Sequence, residues 1–65
     1  MNKFKNAENR LKIEQKQYYE NKGKVVHDVY VLRNGNIDKD GFQKFQVTVS
    51  VEDGFYQFDQ YVKID

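Results

Sequence analysis

The apolar positions of this chain change period once, and the change divides it in two. Between residues 3 and 22, apolar side chains recur at helical spacing. Phe4, Ala7, Leu11 and Tyr18 fall on one side of a wheel stepped by about 100° per residue. Glu14 shares that side and Tyr19 lies at its edge. Lys, Glu, Gln and Asn fill the other positions, and neither Gly nor Pro interrupts. Asn2 suits the N-cap and Gly23 the position just past the C-terminus. The pattern predicts an amphipathic helix over residues 3–22. Ile13 points away from the apolar stripe, so it is expected to be an isolated exposed apolar residue or a contact with something else.

From residue 24 onward the chain is β-branched and aromatic. Val25, Val26, Val29, Tyr30 and Val31 predict a strand over 24–33. Residues 34–41 hold Asn34, Gly35, Asn36, Asp38, Asp40 and Gly41, a loop composition. Residues 42–52 alternate cleanly, with Phe45, Val47, Val49 and Val51 on one side and Gln46, Thr48, Ser50 and Glu52 on the other. Asp53-Gly54 then reads as a two-residue type I′ hairpin turn. That turn would pair Glu52 with Phe55, Val51 with Tyr56, Val49 with Phe58, Val47 with Gln60 and Phe45 with Val62, and would start a third strand over 55–64. A one-residue slip would scramble the faces, so pattern and turn support each other.

The first strand is ambiguous. If Val25, His27, Val29 and Val31 face the helix, His27 sits at the edge of the core. The opposite phase buries Asp28 with Val26, Tyr30 and Leu32. An unpaired buried carboxylate costs more than a neutral imidazole, which favours the first phase. The expected fold is therefore α+β: a single small domain over 1–65, with an N-terminal helix packed on a three-stranded antiparallel meander (αβββ). In this register Tyr30, Gln46 and Tyr61 form one row of the outer sheet face. Leu32, Lys44 and Lys63 form the next, and Phe55 lies near the hairpin end.

Composition narrows the function classes. The chain has 65 residues, with 11 basic and 10 acidic side chains and no Cys. Disulfides and thiolate metal sites are excluded, and a domain this small gains most from oligomerisation or a partner. No stretch is apolar enough for a membrane span or a signal-peptide core, so a soluble cytoplasmic protein is expected. Residues 1–24 hold six Lys and one Arg against three Glu, which makes the helix the basic element. Asn, Lys, Ile, Tyr and Phe have AT-rich codons, which points to a low-GC bacterium or one of its phages.

Catalytic chemistry finds little support. His27 is the one imidazole and Ser50 the one serine, placed on opposite sheet faces. Asp28 and Asp59 are expected near Thr48 on an open face, where nothing would tune them for acid–base work. Asn36, Asp38, Asp40 and Gly41 match the first half of an EF-hand loop. Position twelve is Val47 instead of a bidentate Glu, so the expected reading is a polar turn, with a weak calcium site as the alternative. No cofactor is expected.

The residues singled out for binding are Tyr30, Leu32, Lys44, Phe55, Tyr61 and Lys63, with Ile13 as a secondary contact. Tyrosine-rich surfaces suit protein interfaces. The leading expectation is a small non-enzymatic protein-binding module, such as a phage-encoded or accessory inhibitor in the host cytoplasm. A nucleic-acid binder using the aromatic face and the basic helix is the alternative. Tyrosines merely tolerated on a solvated β face are the plain one. Two free sheet edges make a homodimer a further expectation.

Overall fold

The computed structural model describes residues 2–64. The Asn2 side chain accepts from the backbone N–H groups of Phe4 and Lys5 at 2.9 and 3.3 Å. This satisfies two of the orphan donors that every helix N-terminus leaves. Helix α1 (Lys3–Asn21) follows. It ends in a Schellman closure: Lys24 N–H donates to Tyr19 O and Gly23 N–H to Glu20 O, each at 3.0 Å. Gly23 carries the positive φ of 86° that this closure needs.

Three strands follow: β1 (Val26–Asn34), β2 (Phe42–Val51) and β3 (Gly54–Lys63). They form an antiparallel open sheet in the order β1-β2-β3 with α1 packed on one face, the expected αβββ arrangement. The core lies between the layers. Ala7 and Leu11 of the helix meet Val29, Val31, Phe45, Val47, Val49, Val51 and Val62 of the sheet. Phe45, Val47 and Val49 are fully buried. At the margins Phe4, Tyr19, Val26, Tyr56, Phe58 and Ile64 pack against this cluster. The stripe therefore turns to the core through Tyr19, and Tyr18 remains half exposed. The helix runs closest to β1, which rotates its C-terminal turn so that Tyr19 reaches β3.

The hairpin departs from expectation in a specific way. Val51 pairs with Gly54, Ser50 with Phe55, Val49 with Tyr56, Val47 with Phe58, Phe45 with Gln60 and Gln43 with Val62. Every expected pair has slipped by two residues. The turn residues are Glu52 and Asp53, and no described non-glycine residue has positive φ. A type I′ turn would force Asp53 into that region, which is costly for a residue with a Cβ. Here Gly54 alone takes the unusual φ, at 151°. Glu52 N–H donates to Val25 O at 3.1 Å, which ties the turn to the start of β1. Because strand side chains alternate with period two, the slip leaves every inner residue on the inner face.

The first strand settles its ambiguity with a bulge. Val26 pairs with Val51 but Asp28 pairs with Ser50, so His27 is the extra residue. The bulge changes the phase of the strand. Val26 packs against the core, and so do Val29 and Val31, while Val25, His27 and Asp28 are exposed. Neither the imidazole nor the carboxylate is buried. The expectation that Val25 and His27 face the helix is corrected, and that for Val29 and Val31 stands.

Gln43, 1% exposed, is the one buried polar side chain among the described residues. Its amide nitrogen donates to the carbonyls of Asn34 (3.2 Å), Gly35 (2.9 Å) and Lys44 (3.1 Å). It thus fastens the β1–β2 loop to the end of the core.

A chain of this size has roughly 3–10 kcal/mol of folding stability, at 0.05–0.15 kcal/mol per residue. Phe45→Ala should remove about 3–5 kcal/mol by leaving a cavity beneath Ala7 and Leu11. Phe55→Ala, on the exposed face, should change stability by less than about 0.5 kcal/mol. Urea unfolding followed by far-UV circular dichroism compares the two; equal midpoints would contradict the packing described.

Candidate functional site

The outer face of the sheet is built by β2 from below and its neighbours from the sides. Lys44, Gln46, Thr48 and Ser50 of β2 are half-buried between the side chains of β1 and β3. Among the described residues no element covers this face. Large apolar side chains stand on it: Tyr30 is 55% exposed, Leu32 64%, Phe55 66% and Tyr61 58%.

The observed register redraws the expected rows. Tyr30 lies opposite Thr48 and Leu32 opposite Gln46, where the expected partners were Gln46 and Lys44. Lys44 lies between Asn34 and Tyr61, and Lys63 opposite Phe42. Tyr30 and Tyr61 are therefore about 16 Å apart, at roughly 3.3 Å per residue and 4.8 Å per strand. Phe55 and Tyr61 stand about 20 Å apart along β3 on the same basis. The expected single aromatic row does not form. In its place there is an apolar pair on β1 (Tyr30, Leu32), an aromatic and basic group at one end (Phe42, Lys44, Tyr61, Lys63), and Phe55 at the opposite end.

One of these side chains also serves the fold. The Lys63 ammonium donates to Asp40 O at 2.8 Å and lies 5.2 Å from the centre of the Phe42 ring. Ile13 is 67% exposed but sits on the helix layer, in a shallow cleft with Lys12, Lys16, His27, Asp28 and Val29. It cannot share a flat surface with Tyr30.

Asp28 lies opposite Ser50 and Asp59 opposite Gln46, on strands either side of β2. Their carboxylates stem from positions about 16 Å apart, too far to work on one bond. The 36–41 loop has a structural use for its acidic groups. Asp38 Oδ1 accepts from the N–H of Asp40 and of Phe42, both at 2.9 Å, and Asp38 O accepts from Gly41 N–H at 3.0 Å. The Lys63 ammonium on Asp40 O adds a positive charge where a cation would have to sit.

The groove between α1 and β3 was not legible as a candidate. It encloses about 270 Å³ and is lined by Gln15, Tyr18, Tyr19, Phe58 and Gln60. Tyr19 stacks on Tyr56 at 4.7 Å and meets Tyr18 edge-on at 5.0 Å. Lys22 and Lys24 flank this cluster. Hydrogen bonding to the Tyr18 hydroxyl raises the Lys22 ammonium above the usual lysine range, and the Tyr56 hydroxyl does the same for Lys24. The adjacent Tyr18-Tyr19 at the helix end was the available signal, but the partner Tyr56 depends on where the helix crosses the sheet.

Comparison of the chain with protein-family models, with curated proteins and with solved structures finds no match. The site must be read from its own chemistry.

Asp38→Ala should cost about 1 kcal/mol and speed amide exchange at Asp40 and Phe42, the donors it frees. Calcium added to millimolar concentration should leave the amide resonances of residues 36–41 in place. Saturable shifts confined to that loop would show an ion site after all.

Proposed function

We propose that this chain is a small non-enzymatic protein-binding module that works by laying the outer face of its sheet on a partner protein. The observation that carries this reading is the open face itself, with four large apolar side chains each more than half exposed. Tyr30 and Leu32 are the centre of the proposed contact. They stand two residues apart on the same side of β1, so their side chains adjoin. Burying both would remove an adjacent apolar pair on the face from water. Lys44 and Tyr61 supply a polar and aromatic rim, Lys63 extends it, and Phe55 marks the far limit.

Charge supports a protein over a nucleic acid. Asp28 and Asp59 share the outer face with Lys44 and Lys63, so a phosphate backbone meets no net attraction there. The basic helix lies on the other layer and cannot act together with those aromatics on one strand. A short chain that binds without reacting suits an inhibitor, phage-encoded or accessory, which acts by covering a functional surface of a host protein.

Immobilised wild-type chain should retain a specific protein from the lysate of a low-GC bacterium. The double variant Tyr30→Ala with Leu32→Ala should lose at least tenfold in apparent affinity, since each buried apolar side chain is worth about 1.5–3 kcal/mol. Ile13→Ala, on the other layer, should bind as the wild type does. Retention unaffected by the double variant would remove the outer face from consideration.

A further inference from the structure

The two edges of the sheet are not equivalent. β1 is interrupted by the bulge at His27, and its Arg33 is folded over the Phe4 ring at 4.1 Å. Lys12 and Lys16 of the helix flank it, so two β1 edges brought together would also bring those like charges together. β3 lacks the bulge, and the cations beside it are engaged or lie toward its ends: Lys22 and Lys24 sit over the Tyr18 and Tyr56 rings at 4.7 and 6.0 Å, and Lys3 and Arg10 line a cleft with Lys63 and Ile64. β3 pairs with β2 without irregularity along its ten residues, and it contains no proline or bulge. The helix leans toward β1, so the groove beside β3 stays open, and its lining residues Gln15, Tyr18, Tyr19, Phe58 and Gln60 are uncharged.

The free edge has a defined polarity. Ile64 N–H donates to Gly41 O at 2.9 Å, in register with β2–β3. Direction alternates along an antiparallel strand, so the even-numbered residues of β3 bond to β2. Phe55, Gln57, Asp59 and Tyr61 direct their N–H and C=O groups outward.

We propose that two copies of this chain associate through these edges, β3 against β3, antiparallel, about a two-fold axis at Phe58. Antiparallel pairing about a two-fold keeps inner residues opposite inner residues, so the axis must pass at a residue. Axes at Phe58 and at Asp59 each pair all but one of the ten residues of β3; any other axis pairs fewer. The axis at Asp59 sets that carboxylate directly against its own copy, a destabilising pair. The axis at Phe58 sets Phe55 opposite Tyr61 of the second copy, Gln57 opposite Asp59, Tyr56 opposite Gln60, and Phe58 beside itself. Just beyond the strand, Asp53 comes opposite Lys63, an attractive pair, at both ends. β3 is thus self-complementary about Phe58 in aromatic content and in charge. On the inner side the two uncharged grooves meet at the axis. On the outer side Phe55 of one copy joins Tyr61 of the other, closing the gap that separates them within one chain. This association does not rest on the protein-binding reading above.

The test measures mass by sedimentation equilibrium on the full chain. At millimolar concentration the expected species has twice the 7.8 kDa chain mass. Gln57→Asp places like charges opposite each other twice and Gln57→Lys places opposite charges, so the dissociation constants of the two variants should differ by at least about tenfold, the lysine variant being tighter. The wild-type chain has no Cys, so cross-linking can confirm the register. An oxidised mixture of Gln57→Cys and Asp59→Cys chains should cross-link faster than either alone, because opposed residues of this kind lie about 5.5 Å apart. A monomer at millimolar concentration, equal constants for the two Gln57 variants, or a mixture no faster than its components would each overturn the proposal.

Discussion

The burial of one side of β2 is the constraint on which the other elements depend. β2 is the strand with a neighbour on each edge, and Gln43, Phe45, Val47, Val49 and Val51 are all buried along its inner side. The helix has somewhere to place Ala7 and Leu11 because this row is continuous. Shifting β2 by one residue would exchange Phe45, Val47 and Val49 for Lys44, Gln46 and Thr48, and an ammonium would enter the core. The same row explains Gln43. At the end of the core the strand needs a side chain that can fill space and still serve the loop carbonyls, and a glutamine amide does both.

Period and punctuation were the legible parts of the chain. The helix, both of its caps and the inner set of β2 follow from local spacing and from Asn2 and Gly23, where each residue's chemistry suffices. The bulge at His27 was not legible. The choice looked like one between burying His27 and burying Asp28, because a uniform strand offers only two phases. Inserting one residue costs some regularity but lets Val26, Val29 and Val31 all face inward with both polar groups in water. That trade is decided by the packing of distant residues, which no local window contains.

The hairpin shows why a face can be read where neighbours cannot. Asp53-Gly54 has the composition of a type I′ turn, but that turn asks for positive φ at both residues, and only the glycine tolerates it without cost. Moving the turn back by one residue shifts the pairing sum by two. A shift of two keeps every side chain on its face, so core membership survived the error. The same shift moved every cross-strand partner, so the outer row of Tyr30, Gln46 and Tyr61 did not survive. Exposure of Tyr30, Leu32, Phe55 and Tyr61 depends on parity alone; their grouping depends on register.

The lean of the helix connects these points to the surface. Arg33 over Phe4 at one end and Tyr19 on Tyr56 at the other fix α1 diagonally, nearer β1 than β3. One helix cannot cover three strands, because its apolar stripe is narrower than the sheet is wide. The uncovered strip falls beside β3, and the residues that line it are uncharged. Lys12 and Lys16 fall beside β1, while Lys3 and Arg10 line a cleft with Lys63 and Ile64 at the end of β3. A single packing angle thus leaves one edge interrupted and the other regular, with an open groove of uncharged lining beside it, and it leaves the outer face as a third, separate surface. A chain this small has few ways to bury more apolar area within itself. Apart from Ile13, Val25 and Ile37, its exposed large apolar groups lie along or beside β3 and on the outer face, the two places where another polypeptide can add a layer or a strand without disturbing β2.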